Sequence, residues 1–124
     1  MNYMFLIYSQ ETAGGLTAEE TDTIIRGHRA LMDATARKGI LVGYERLKPT
    51  STATTVRMDG DGRYVTMDGP FAETKEQLAG YYILNCADLD EAIEWARQIP
   101  TGCRGGAGAV EIRPVAVIPN RVPC

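Results

Sequence analysis

Asp68-Gly69-Pro70-Phe71-Ala72-Glu73-Thr74-Lys75-Glu76-Gln77-Leu78-Ala79-Gly80-Tyr81-Tyr82-Ile83-Leu84 joins a sharp corner, a knot of charges, a glycine and an apolar run in seventeen residues. Gly69 frees the backbone, while Pro70 fixes its own φ and biases the residue before it away from helix. The chain must turn here. Phe71, one of two phenylalanines in the sequence, follows the corner directly. Glu73, Lys75 and Glu76 then cluster, either as a solvated surface or as a charged rim beside Phe71 that positions a small ligand. Residues 73–78 predict a short helical turn, and Gly80 releases the chain into a strand over residues 81–84.

Working backwards from the corner, residues 52–57 are rich in β-branched side chains, Asp59-Gly60-Asp61-Gly62 turns the chain, and residues 63–67 return. That is the turn chemistry of a β-hairpin. Residues 40–47, interrupted by Gly43 and ended by Pro49, predict a further strand. Thr17 with Glu20 forms a capping box that opens a helix. Its inner stripe is Ile24, Ile25, Leu31 and Met32, and Gly39 stops it. Residues 3–8 form a continuous apolar run, too short for a helix, that reads as a central strand buried on both faces.

Working forwards, Asp88 with Glu91 caps a second helix. Leu89, Ala92, Ile93, Ala96 and Ile99 form its stripe, and Pro100 ends it. Residues 102–108 form a glycine-rich loop, and residues 109–115 alternate as the last strand. The order strand, helix, strand, hairpin, strand, helix, strand predicts an α+β ferredoxin-like sandwich with two helices on one face of an antiparallel sheet and an inserted hairpin. With one helical layer, the other sheet face needs its own cover. The expected cover is a second copy, so a homodimer is predicted with sheet faces packed together.

At 124 residues the chain has the length of a single domain, taken as residues 1–124. A net charge of −3 argues against nucleic acid and anionic membrane surfaces as partners. No apolar run approaches the ~20 residues of a membrane span, and no signal peptide is recognisable, so a cytoplasmic location is expected. The three cysteines lack Cys-x-x-Cys spacing, and one histidine excludes a multi-histidine metal site within the chain. Residues 104–108 lack the Lys-Ser/Thr ending of a phosphate loop. No metal or cofactor is expected.

His28 lies on the inner stripe of the first helix, between Ile24 and Leu31. A lone helical histidine reads either as a satisfied structural residue or as a group tuned for proton transfer. Asp68 likewise has two readings. Either it holds the corner by accepting backbone hydrogen bonds, or it faces a cleft shared with His28 and Phe71.

"DGPFAETKEQLAGYYIL" resembles the signature of the DGPF subgroup of the YCII-related proteins, and "GAVEIRPV" resembles that subgroup's closing strand. "DLDEAIEWARQIP" is similar to the family's second helix, while "NYMFLIY" and "GILVGYERLKPTSTATTVR" match in character, so the resemblance spans nearly the whole chain. It implies a fold of the dimeric α/β-barrel type. It also implies that His28, on the first helix at the family's distance before the closing glycine Gly39, acts with an aspartate. The family's acid belongs to an Asp-Pro pair ending the second helix; here that pair is Ile99-Pro100, which leaves Asp68 as the candidate substitute. Two classes of function follow. One is a small-ligand binding or accessory module, linked by the resemblance to extracytoplasmic-function sigma factors. The other is a lyase-like or proton-transfer enzyme using His28 and Asp68 as catalytic groups, with Phe71, Glu73 and Lys75 at the ligand.

Overall fold

The computed structural model describes residues 1–12, 14–101 and 108–120. Strand β1 (Asn2–Ser9) leads to helix α1 (Ala18–Arg37) and strand β2 (Leu41–Arg46), then the strands β3 (Thr54–Met58) and β4 (Tyr64–Asp68). Strand β5 (Gln77–Asn85), helix α2 (Leu89–Ala96) and strand β6 (Gly108–Pro114) complete the order. Four strands form one antiparallel sheet in the order β2-β5-β1-β6, and β3 pairs with β4 in a separate two-stranded sheet. The chain is therefore α+β, with the strand order that a ferredoxin-like arrangement requires.

The core lies on one face of the large sheet. Along β1 the odd residues Tyr3, Phe5 and Ile7 are buried, and opposite them on β5 stand Leu84, Tyr82 and Gly80. Leu31 from α1 and Ala92 from α2 complete this layer, with Ile99 just beyond α2. The even residues of β1 point the other way and are only partly covered. The chain on its own thus buries one face of β1, where the apolar run suggested two.

Both helices start as their capping residues dictate. Thr17 Oγ1 accepts from the Glu20 amide while the Glu20 carboxylate accepts from the Thr17 amide, and Asp88 accepts from the Glu91 amide. Helix α1 stops at Gly39, whose φ of 74° lies in the left-handed region open to glycine. Two expected stripe residues, Ile25 and Leu89, are exposed instead. Residues 73–76 are not helical. There Thr74 Oγ1 donates to the Glu76 carbonyl and Gln77 Nε2 to the Thr74 carbonyl, and these local bonds compete with a helical turn. Strand β5 begins at Gln77, four residues earlier than the apolar run implies. Among the cysteines, Cys86 is buried and free, while the glycine-rich stretch with Cys103, and Cys124, lie outside the described residues.

Candidate functional site

Residue His28 is 7 % exposed although it is polar. Its place on α1 is set by the helical period that carries Ile24 and Leu31, and by an unusually close neighbour. A Cβ built on Gly27 would stand 2.9 Å from Pro100 Cγ, so the glycine lets the end of the second helical segment press on α1 beside the histidine. Ile99, where the family resemblance would put an acid, is buried in the core.

His28 Nδ1 lies 2.9 Å from the Tyr82 hydroxyl. That hydroxyl also lies 3.4 Å from the His28 carbonyl, beyond the usual range of an O–H···O bond. Its one proton therefore goes to Nδ1, which puts the ring proton of neutral His28 on Nε2. No buried side-chain nitrogen or oxygen among the described residues lacks a partner, and Nε2 has none, so Nε2 must reach accessible surface. Tyr44 completes a cluster of three rings, with centroids 5.5 Å from His28 and 4.4 Å from Tyr82.

Charge follows from this packing. Burial, and then the guanidinium of Arg46, lower the His28 pKa to about 4. Burial, and then the neighbouring Tyr44, hold the Tyr82 hydroxyl well above its usual range. Tyr44 is also raised, chiefly by burial. At neutral pH the cluster is uncharged, and Arg46 and Glu45 are nearby fixed charges. Cys86 is pushed up by burial and by Glu91, which makes its thiol a poor nucleophile.

His28 forms part of the wall of a cleft of about 510 Å³ between the first half of α1 and the ends of β1, β2 and β5. Apolar cover comes from Ile7, Leu16, Ile24, Leu47 and Leu78, and Pro100 closes one side. Arg46, Lys48, Ser9, Thr12 and Gln10 add polar groups. Gly80 makes the floor possible. A Cβ there would meet the Glu45 carbonyl at 2.6 Å and Arg46 Cα at 3.3 Å, so only a glycine lets β2 and β5 approach this closely. One rim is tied down by Glu11, whose two carboxylate oxygens accept from the Thr50 amide at 2.7 Å and the Thr50 hydroxyl at 2.8 Å.

Of the sequence-predicted site residues, only His28 lines this cleft. Asp68 is exposed at the end of β4, paired in register with Thr54, and the partner of His28 is Tyr82. The corner itself is held by Gly69, at φ 95°, whose amide donates to the Ala53 carbonyl. Phe71 is 72 % exposed with Arg57 5.1 Å from its ring centre, and Glu73 and Lys75 are also exposed. Arg46, Tyr44 and Tyr82 carry the site and went unrecognised in the sequence. Their signal was the alternation Tyr44-x-Arg46 along β2, which gains meaning only once Tyr44 is known to stand opposite Tyr82. Among the described residues there is no group of three or more His, Cys, Asp or Glu side chains able to hold a metal ion. No described helix is long and apolar enough to cross a membrane.

Comparison with known proteins agrees with this geometry in covering the whole unit. The chain is 38 % identical over 125 residues to an uncharacterized protein of Rhizobium meliloti (strain 1021), covering 99 % of each sequence. The YCII-related domain matches residues 1–118, a span that includes both helices, the hairpin and every residue of the cleft. The chain belongs to the YCII-related family.

Proposed function

We propose that this protein binds a small molecule in the cleft beside His28, with the uncharged imidazole presenting its Nε2–H as a hydrogen-bond donor. The observation that carries this reading is the pairing of His28 Nδ1 with Tyr82, which fixes the ring and leaves the other nitrogen for the cleft. A cleft of about 510 Å³ falls within the range of small-ligand sites, roughly 300–1,000 Å³. Binding is favoured over acid–base catalysis by magnitude. With a pKa of about 4, only about one His28 in a thousand is charged at pH 7, and an efficient general base has a pKa near the working pH. A proton-transfer enzyme acting through His28, with Asp68 as its acid, is the weaker reading on the same grounds.

The run Asp68-Gly69-Pro70-Phe71 supports placing the chain in the DGPF subgroup, and with it an accessory role beside extracytoplasmic-function sigma factors. A homodimer through the helix-free sheet face is part of the same proposal. Met4 and Leu6 stand opposite Ile83 and Tyr81 on that face, an apolar surface with no helix over it. Screening small neutral and charged fragments by amide and imidazole chemical shift tests the ligand site. Hits that converge on Leu16, His28 and Leu47 are expected, whereas hits scattered over the surface would contradict it.

A further inference from the structure

Resting on the reading of the cleft as a ligand site, we propose that its ligand is a small organic acid, with the Arg46 guanidinium holding the carboxylate and the Tyr44 ring beside the apolar body.

Arg46 follows Tyr44 by two residues on β2, so both side chains leave the same face of the strand, the face that carries the helices. Opposite Arg46 is Gly80, which offers no side chain to cover it. Arg46 forms no ion pair or hydrogen bond with any described residue, and neither does Lys48. Two acidic residues, Glu11 and Glu45, are also in the lining, and neither is paired with Arg46. Both oxygens of Glu11 are occupied by Thr50. Glu45 lies between Tyr44 and Arg46 and stands opposite Tyr81, so strand alternation sends its side chain to the other face. Arg46 and Lys48 are thus cations of the cleft with no partner among the described residues.

The donors at hand, together with the apolar part of the wall, suit a carboxylate carried on a small organic body. A phosphate site is usually built from several free backbone amides, and here four amides around the cleft are already bonded. The Glu11 amide donates to Gln77 Oε1, the Gly15 amide to the Thr12 carbonyl, the Leu47 amide to the Ala79 carbonyl and the Thr50 amide to Glu11. The start of α1 is closed by its own capping box. Arg46 supplies one planar guanidinium, which matches a carboxylate with two parallel hydrogen bonds, and His28 adds its Nε2–H. Leu16, Ile24 and Tyr44 give the wall an apolar and aromatic portion that suits a hydrocarbon body, beside polar side chains such as Ser9, Gln10 and Thr12.

The test uses three carboxylates (acetate, benzoate and 3-phenylpropionate) and their three primary amides, titrated into the wild type, Arg46→Gln and Lys48→Gln while the His28 imidazole and cleft amides are followed by NMR. Benzoate and phenylpropionate are expected to saturate and to bind at least about tenfold more tightly than their amides, the scale of one charge-assisted contact. Arg46→Gln is expected to erase that preference and leave amide binding as it was. If acids and amides bind alike, the carboxylate inference is overturned while the ligand site stands. A preference that survives in Arg46→Gln and disappears in Lys48→Gln overturns the assignment to Arg46. If neither set perturbs His28 up to about 50 mM, weaker than fragments of this size bind in a formed pocket, both the inference and the cleft reading fall.

Discussion

His28 is held below the usual histidine pKa first because burial strips water from its charged form, and second because Arg46 opposes another positive charge. The two causes separate on the change Arg46→Gln. Removing the guanidinium raises the His28 pKa above about 4, yet leaves it short of 6.5 because burial, the larger cause, remains. A pH titration of the imidazole by NMR reads this, and no rise in the variant would remove Arg46 from the site. The same titration on Asp68→Asn is expected to superimpose on the wild type, since that carboxylate is exposed on the hairpin and Tyr82 is the imidazole's partner. A fall of about one unit, the effect of losing a close charge, would restore Asp68 as the partner. His28 was legible in the sequence because a polar residue on an apolar helical stripe breaks a local pattern. Tyr82 was not, because its hydroxyl sits inside an apolar strand and meets a residue 54 positions away.

Among the elements, the crossing of β2 and β5 at Gly80 shapes the cleft floor. A methyl group there would stand 2.6 Å from a backbone carbonyl, so the strands have to shift to admit it. Gly80→Ala is therefore expected to lower stability by roughly 1–3 kcal/mol, the usual cost of overpacking. Urea unfolding checks this, and an unchanged midpoint would show that the close approach is not required. The helices, the hairpin and their turns were legible because caps and turn residues act locally: Thr17 with Glu20, Asp88 with Glu91, and Asp59 to Gly62 each fix their own few residues. The start of β5 was not. Gln77 through Ala79 lack a continuous apolar signature, and they join the sheet because Tyr8 and Ser9 and the chain after Arg46 pair with them.

For the whole molecule, the sheet's second face is an apolar surface flanked by charges. Glu111 and Arg113 of β6 stand 3.9 Å apart at one edge, and Glu45 lies toward the other. Cover by a second copy would use the same patch on both subunits, and the proposed dimer is expected in sedimentation at micromolar concentration, with a monomer contradicting it. The order of elements was readable from the sequence, whereas a cover for this face is inferred from its need. Stability should also depend on pH through His28. Its folded pKa lies below the unfolded value of 6.5, so the unfolded state binds more protons between these values. The stability it contributes is fully present above about pH 6.5, is lost as pH falls toward 4, and amounts to on the order of 3 kcal/mol. His28→Gln should flatten that part of the pH profile. The most direct measurement of the central claim, that a buried neutral imidazole fixed by Tyr82 faces the cleft, is the NMR titration of His28 in the wild-type protein. A midpoint near pH 4 with the neutral-form proton on Nε2 is the predicted result, and a midpoint near the ordinary 6.5 would contradict it.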